Sequence, residues 1–377
     1  MLIKARLTSF SLPLVHPLKT GHGTLYSREG IFVEIEDSCN LKGYGEATPI
    51  DGFSTESLQE ARDALYQFLP VLLQGEKRSI ERTVAECRSL FPSARAALSA
   101  IDTALCDLLA KQRGCSVATL LANHFQTDVS NSVKVNSLLH SQDIKSLISE
   151  AGDRYREGFR TFKIKVGVQS IDKDIERIGA LRSSLKKDAA IRLDANGAWS
   201  PEEAGVVLQA IQTLSIEYLE QPLAADDLRS VAALRNRYDT PLAADEAACS
   251  AEDIQAILDH RAADIIVLKP AAAGGPHLSM QMGKIAEQLS VPCVTTTLMD
   301  GAVGRAMATH VAAALPSGGL SYACGLATGG LLARDLSEGL QVCDGYISID
   351  DIRGLGIAVT PDQLESVAAG KTVEFLA

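Results

Sequence analysis

Charged side chains end a series of short apolar runs in the middle of the chain. Lys163 and Lys165 close the run 161–166, Asp194 closes 191–194 and Glu220 closes 216–220. Asp245 closes 242–245 and Lys269 closes 265–269. From Lys165 onward the spacings are 29, 26, 25 and 24 residues, each about one strand-plus-helix unit. In a closed parallel barrel, groups one unit apart stand at equal height around the C-terminal mouth, where barrel active sites are built. Three carboxylates brought together there repel and raise one another's pKa unless a cation lies between them. Three hard oxygen ligands on rigid strands suit Mg²⁺, which prefers octahedral oxygen and leaves positions for water or substrate. Zinc fits less well, because Cys324 is the one soft ligand at these strand ends.

The lysines flank such an ion. Lys163 and Lys165 are two apart on a strand and point to the same face. A lysine beside a divalent cation and a second lysine has its pKa lowered, which makes a neutral amine available as a base. Lys269, on the sixth run, faces Lys165, on the second, across an eight-fold ring. A metal between opposed amines fits removal of a proton α to a carboxylate. Taken singly, an Asp or Glu at a strand end is more often a helix N-cap or a surface charge. Lys-x-Lys alone is usually a solvated edge. The joint order Lys, Asp, Glu, Asp, Lys is what packing does not produce, since interior barrel positions favour branched apolar residues.

The elements that must hold these groups are legible in the periodicity. Runs 3–14 and 30–36 alternate like strands, and Gly43-Tyr44-Gly45 is expected to be a turn or bulge. Leu58, Ala61, Leu65, Phe68 and Leu69 then fall at helical spacing, as do Ala97, Ile101, Leu105 and Leu108. Gly114 is a plausible C-cap for the helix over 93–113. Residues 1–125 therefore form an α+β unit. Beyond residue 130, eight short runs alternate with amphipathic helices: 133–139, the five described above, 293–297 and 321–324. Ser200-Pro201-Glu202-Glu203 has the order of an N-cap, a first-turn proline and a capping-box glutamate. This pattern predicts a closed α/β barrel over 126–342. A doubly wound open sheet would carry a Gly-rich loop opening a helix after an early strand, and Gly21-His22-Gly23 opens none.

The 377-residue chain carries a formal charge of −11, with 46% apolar and 22% charged residues. Nucleic acid is excluded as a partner by this charge, and collagen, coiled coil and extended disorder by the composition. No apolar stretch approaches the ~18 residues of a membrane span, so no membrane contact is expected. The N-terminal stretch lacks the apolar core and cleavage site of a signal peptide. The eight cysteines are scattered, without a CxxC pair or a histidine at zinc spacing. Reduced thiols in a cytoplasmic protein are expected. The seven histidines do not cluster in sequence, and His277 and His310 are expected to be structural or surface groups.

At these residues the chain resembles the enolase superfamily, in its muconate-lactonizing subgroup. The matching segments are Thr-Phe-Lys-Ile-Lys-Val-Gly (161–167), Leu-Asp-Ala-Asn-Gly-Ala-Trp (193–199), Leu-Glu-Gln-Pro (219–222), Ala-Asp-Glu (244–246) and Leu-Lys-Pro (268–270) with Gly274-Gly275. The resemblance implies a (β/α)7β TIM-like barrel with an N-terminal α+β capping domain, to which a tail over 343–377 returns. It implies Mg²⁺ on Asp194, Glu220 and Asp245, Lys165 as the base, Lys163 assisting it, and Lys269 on the other face of a small carboxylate substrate. The cap segment from Gly45 through Ile50 to Ser54, Thr55 and Glu56 resembles the loop of o-succinylbenzoate synthases, which dehydrate a cyclohexadiene carboxylate in menaquinone synthesis. The segments at Thr295-Thr296-Thr297 and Cys324-Gly325-Leu326 resemble that family too. By that likeness Ser54, Thr296 and Gly325 are expected to touch substrate. The loop around Leu18–Leu25, with Gly21 and Gly23, is a candidate lid.

Two branches are disfavoured. Mandelate racemase-like members place a His at the end of strand seven, where this chain has threonines. Dipeptide epimerases carry Asp-x-Asp at strand eight, where this chain has Ala323-Cys324-Gly325. Muconate cycloisomerase and N-succinylamino acid racemase share the same Lys–metal–Lys apparatus and remain alternatives. Assembly into a homo-oligomer also stays open.

Overall fold

The computed structural model describes residues 1–20, 23–50, 54–74, 79–316 and 322–377. Three long antiparallel strands begin the chain: β1 (Leu2–Thr20), β2 (Gly23–Asp37) and β3 (Lys42–Ala47). Four helices follow: α1 (Leu58–Gln74), α2 (Ile80–Leu90), α3 (Arg95–Arg113) and α4 (Val117–Phe125). The alternation in the strands puts Ala5, Leu7, Ile31, Val33, Ile35 and Ala47 on one buried face. That face packs on Leu65, Phe68, Leu69, Ala97 and Ile101 of α1 and α3. Gly114 ends α3 in the left-handed conformation, φ 68°, as a C-cap glycine does.

The expected turn at Gly43-Tyr44-Gly45 is instead the middle of β3. The glycines are there because α3 lies directly on this strand. A Cβ at Gly43 would strike the Ala104 carbonyl, and one at Gly45 the Ala100 carbonyl. A close-packing signal of this kind looks like a turn signal when only the sequence is read.

The second unit alternates strand and helix. After β4 (Ser132–Lys134) come β5 (Ser137–Leu139), α5 (Ile144–Arg156), β6 (Thr161–Lys165), α6 (Ile171–Ser184), β7 (Ala190–Asp194) and α7 (Pro201–Ile211). Then follow β8 (Ile216–Glu220), α8 (Leu228–Arg237), β9 (Leu242–Ala244), α9 (Ala251–His260) and β10 (Ile265–Leu268). The short α10 (Pro270–Ala273), α11 (Pro276–Gln288), β11 (Cys293–Thr295) and α12 (Ala302–Ala314) complete it. Strands β5 to β11 form one parallel sheet in sequential order. The capping box at α7 is made as expected: Glu203 N–H donates to Ser200 Oγ, and Ser200 N–H donates to Glu203 Oε2.

An eighth segment closes this sheet into a barrel. Cys324 N–H donates to the Lys134 carbonyl at 2.7 Å, and Asn136 N–H to the Cys324 carbonyl at 2.9 Å. On the other side Gly325 N–H donates to the Thr295 carbonyl at 2.8 Å. The expected eighth run, 321–324, begins at Ser321, outside the described residues, and its pairing is made by Cys324 and Gly325. The expected first run, 133–139, divides in two. Its first part, β4, pairs with β13 (Tyr346–Ser348), which also pairs with β12 (Val342–Cys343), while β5 alone enters the barrel. The chain then passes through α13 (Pro361–Val367) to β14 (Val373–Leu376), which pairs with β1 at the edge of the cap sheet.

The cap is fastened to the barrel by buried polar groups. The Glu46 carboxylate, on β3, accepts the amides of Gly301 at 2.6 Å and Gly304 at 3.0 Å, at the start of α12. Burial, reinforced by the charge of Asp300, pushes its pKa up to about 8 against these donors. Thr48 Oγ1 donates to Asp300 Oδ1 at 2.9 Å, and Arg28 donates to the Thr48 carbonyl at 2.7 Å. Ile50, just beyond, packs on Ala272 and Leu298. Those two residues follow β10 and β11, so the cap loop lies over the C-terminal mouth.

The packing at Gly45 makes a test. Gly45→Ala forces α3 off β3 and is expected to cost about 1–3 kcal/mol or more. Urea unfolding reads this as a lower midpoint, and an unchanged midpoint would mean that the helix is free to move away.

Candidate active site

The mouth of the barrel gathers the residues singled out by spacing. In the sheet register Lys165 pairs with Asp194, and Asp194 with Glu220. The three strand ends thus stand side by side at one height. Asp194, Glu220 and Asp245 are 3%, 1% and 4% exposed, so their charges are almost wholly removed from water. Such burial is tolerable only with partners.

The partners are the lysines. Lys163 Nζ lies 2.6 Å from Glu220 Oε1 and 2.9 Å from Asp194 Oδ2, so one cation is shared between two strand ends. Lys269 Nζ lies 2.6 Å from Asp245 Oδ2. Lys165 makes no ion pair among the described residues, although its charge acts on Asp194. Lys163 and Lys269 are therefore held by carboxylates, while the Lys165 amine is left available at the outer end of β6. Strands β6 and β10 are four places apart in a ring of eight, which puts Lys165 and Lys269 on opposite walls.

The electrostatics follow from this crowding. Burial opposes ionisation of Asp194, but Lys163 and Lys165 outweigh it and hold its pKa below the ordinary value. Glu220 goes the other way. Burial, together with the charges of Asp194 and Asp245, pushes it up to about 8, with Lys163 opposing. Burial and Asp245 likewise push Glu246 up to about 7. The ammonium groups of Lys163 and Lys269 sit among these carboxylates. Burial lowers both, but their carboxylate partners raise them further, so both end above the ordinary value.

The carboxylate set fits a hard divalent cation. It offers three oxygen ligands from adjacent strands, and Asp245 Oδ1 is buried with no hydrogen-bond partner. An orphaned buried oxygen in an acidic cluster is what such an ion satisfies. Among the described residues, the His, Cys, Asp and Glu clusters with ligand atoms within 4.8 Å of one another lie elsewhere, around His277. At the mouth the carboxylate oxygens are turned onto Lys163 and Lys269 instead.

Sequence reasoning missed several supporting groups. Gln221 Oε1 accepts the amides of Asp245 at 3.0 Å and Ala247 at 3.2 Å, and so positions the end of β9. Glu246 Oε1 accepts from Asn196 Nδ2 at 2.9 Å. Beneath the carboxylates the barrel interior is polar. Arg192, fully buried, donates to Glu217 and to the Ala323 carbonyl, each at 2.5 Å, and lies 4.5 Å from the Tyr218 ring centre. Its place two residues before Asp194 on β7 was a usable signal, since positions two apart on a strand share a face.

The expected substrate contacts are less open. Thr296 Oγ1 donates to the Gly325 carbonyl at 3.0 Å, so these two residues are brought together, but on each other. Ser54 Oγ accepts the Ile50 amide at 3.0 Å and shapes the cap loop. Gly21 and His22, at the tip of the expected lid, and residues 51–53 of the cap loop lie outside the described residues. The histidines do cluster in part: the rings of His124 and His277 are 5.6 Å apart. His310 is fully buried and accepts the Ala118 amide, as a structural group does.

A cap over a closed barrel, with three consecutive acidic strand ends flanked by lysines at its mouth, defines the class. The chain belongs to the enolase superfamily of enzymes. Residues 3–122 match the mandelate racemase / muconate lactonizing enzyme N-terminal domain, and residues 146–363 the enolase C-terminal domain-like family. Among curated relatives, the L-Ala-D/L-Glu epimerase of Bacillus subtilis is 30% identical over 83% of this chain and 85% of its own length. The N-succinyl-L-Arg/Lys racemase of Bacillus cereus is 27% identical over 96% of each chain. Its crystal structure superposes with a TM-score of 0.90, at 25% identity over 99% of each chain. The o-succinylbenzoate synthase of Mycobacterium tuberculosis is 40% identical, over 56% of this chain and 61% of that protein.

The unpartnered oxygen makes Asp245 the sharpest probe of the cation. Asp245→Asn is expected to weaken Mg²⁺ binding by about tenfold or more, ~1.4 kcal/mol, read by calorimetric titration. An unaltered isotherm would take Asp245 out of the ligand set.

Proposed function

We propose that the chain is a Mg²⁺-dependent carbon–oxygen lyase that dehydrates a cyclohexadiene carboxylate to o-succinylbenzoate, the step known from menaquinone synthesis. The two opposed lysines carry the proton abstraction in this reading, and the 40% identity with an o-succinylbenzoate synthase over 56% of the chain favours dehydration as its outcome. Lys165 is without an ion pair among the described residues, and Lys269 stands on the facing wall beside Asp245. Asp194, Glu220 and Asp245 would hold the ion, which supplies a Lewis acid for the negative charge that develops on the substrate carboxylate.

The residues then divide the work. Lys165 takes the proton from the carbon α to the carboxylate. The β carbon–oxygen bond breaks, and the same proton returns to the departing hydroxyl, so that water leaves. Lys269, cationic beside Asp245, steadies the developing charge from the opposite side. Lys163, clamped between Asp194 and Glu220, favours the ionised form of both and holds them in place.

The strand-eight segment narrows the substrate. Cys324 and Gly325 spend their backbone groups on Lys134, Asn136 and Thr295, and Ala323 accepts from Arg192. This segment carries no acid to meet the ammonium of a dipeptide, which separates the site from the epimerase among its relatives. A second reading, racemisation of N-succinylamino acids, is favoured by the full-length likeness to the Bacillus cereus racemase. Both readings share a succinyl-bearing substrate and the same proton abstraction.

Two measurements decide. Purified protein given the cyclohexadiene carboxylate is expected to form aromatic product with Mg²⁺ and none after chelation. N-succinylamino acids recovered from D₂O would carry α-deuterium if the racemase reading holds, and exchange without dehydration would displace the lyase assignment. Lys165→Ala is expected to lose about 10²–10⁴-fold in turnover or more, as removal of a general base does, with unchanged far-UV circular dichroism. Retained turnover would take Lys165 out of the base role.

A further inference from the structure

A second group of ligating side chains lies away from the mouth, where the cap helices meet the barrel. Glu81 stands on the first turn of α2, His124 on the last turn of α4, and His277 on the first turn of α11. Glu81 Oε1 is 3.3 Å from His124 Nδ1 and 3.7 Å from His277 Nε2, and the three ligand atoms all lie within 4.8 Å of one another. A tetrahedral ion with bonds of about 2.0–2.2 Å places its ligand atoms roughly 3.3–3.6 Å apart. Two of the three separations are already close to that edge length.

A separate feature points the same way. Asp102, on α3 and fully buried, accepts from His277 Nδ1 at 2.6 Å and also from the His277 amide at 2.9 Å. With its proton held on Nδ1, the His277 ring turns Nε2 outward, toward Glu81 and His124. A carboxylate that fixes the tautomer of a histidine and aims its free nitrogen is the arrangement found behind zinc-bound imidazoles. The two histidine rings meet at 71° rather than stacking, so both nitrogens can converge on one point. Glu81 and His124 are 41% and 46% exposed, which leaves a side open to a water ligand. Cys106 lies behind the ring, 3.7 Å from Nδ1 and fully buried, on the side already taken by Asp102.

We propose that Glu81, His124 and His277 form a binding site for a borderline divalent cation of the Zn²⁺ class, with Asp102 as the positioning residue. The site is distinct from the all-oxygen set at the mouth in ligand chemistry. Nitrogen donors select Zn²⁺, Ni²⁺ or Co²⁺ over Mg²⁺. Its ligands come from α2 and α4 of the cap and from α11 of the barrel, so a bound ion pins the two units together.

The test uses the full chain in saturating Mg²⁺, with Zn²⁺ alone as the titrant and Co²⁺ as a spectroscopic probe. The wild type is expected to bind one equivalent of Zn²⁺ and to show the visible bands of tetrahedral Co²⁺. Its melting temperature should rise with Zn²⁺. His124→Ala, at an exposed position, and Glu81→Gln, at a half-buried one, are expected to weaken this binding at least tenfold and to abolish the thermal shift. Asp245→Asn, at the mouth, should leave it unchanged. No Zn²⁺ bound beyond the barrel site, or the same titration in His124→Ala, would overturn the proposal. Loss of the Zn²⁺ equivalent in Asp245→Asn but not in His124→Ala would assign it to the mouth and overturn it equally.

Discussion

The barrel is organised around an electrostatic problem: carboxylates buried almost completely at one level of its mouth. A buried charge left alone costs several kcal/mol, and a neighbour of the same sign adds to the cost. Asp194 and Glu220 meet this by sharing the Lys163 ammonium, and Asp245 by pairing with Lys269. The compensation is incomplete. Glu220 and Glu246 are driven toward protonation, and Asp245 keeps an unpartnered oxygen. Packing alone would have favoured apolar side chains at these positions. Three buried carboxylates on rigid strand ends, one of them with an unpartnered oxygen, offer oxygen ligands to a cation.

Everything outside the mouth serves to hold that arrangement. The strands supply equal height, through a register that puts Lys165, Asp194 and Glu220 in one row. Gln221 anchors the next strand end through the amides of Asp245 and Ala247. The cap is tied down through Glu46, whose carboxylate takes two amides at the start of α12 and so sits in the favourable field of a helix N-terminus. From that anchor Ile50 reaches the residues just beyond β10 and β11. A cap residue over the mouth brings a loop of one unit to bear on a site carried by the rigid strands of the other.

Much of this was legible because it is periodic. The barrel strands recur at about one unit, and their charged ends recur with them, so Lys165, Asp194, Glu220, Asp245 and Lys269 could be named from spacing. What escaped lacks a period. Gly43 and Gly45 look like turn residues, and the contact that requires them, with Ala100 and Ala104, is about sixty residues away in the chain. The run 133–139 reads as one strand, but its halves pair with different partners. The polar base around Arg192 was hidden by the expectation of an apolar barrel interior. The grouping of His124 with His277 is invisible in sequence, since 153 residues separate them and only the docking of α4 against α11 joins them. At Lys163 the carboxylates of Glu220 and Asp194, at 2.6 and 2.9 Å, outweigh burial and hold the ammonium above its ordinary value.

The likeness to racemases, an epimerase and a lyase at once is consistent with this division of labour. Removal of a proton α to a carboxylate needs a base near that carbon and an electrostatic sink for the charge that forms, and the barrel mouth offers a lysine without an ion pair among the described residues beside carboxylates that fit a cation. What happens next depends on the substrate. A β-hydroxyl offers a leaving group, and loss of water follows. Without one, the proton returns to carbon, and the stereocentre inverts if a second lysine on the far wall delivers it. On the proposed reading, Lys165 and Lys269 on opposite walls would serve either outcome, and selection would fall to the groups that admit the substrate. On the strand-eight side, Cys324 and Gly325 present no charge, and on the cap side Ile50 presents an apolar surface. On the proposed reading, a ring or acyl chain without an ammonium would match those walls better than a dipeptide, because an unpaired cation beside them would be stripped of water with nothing to replace it.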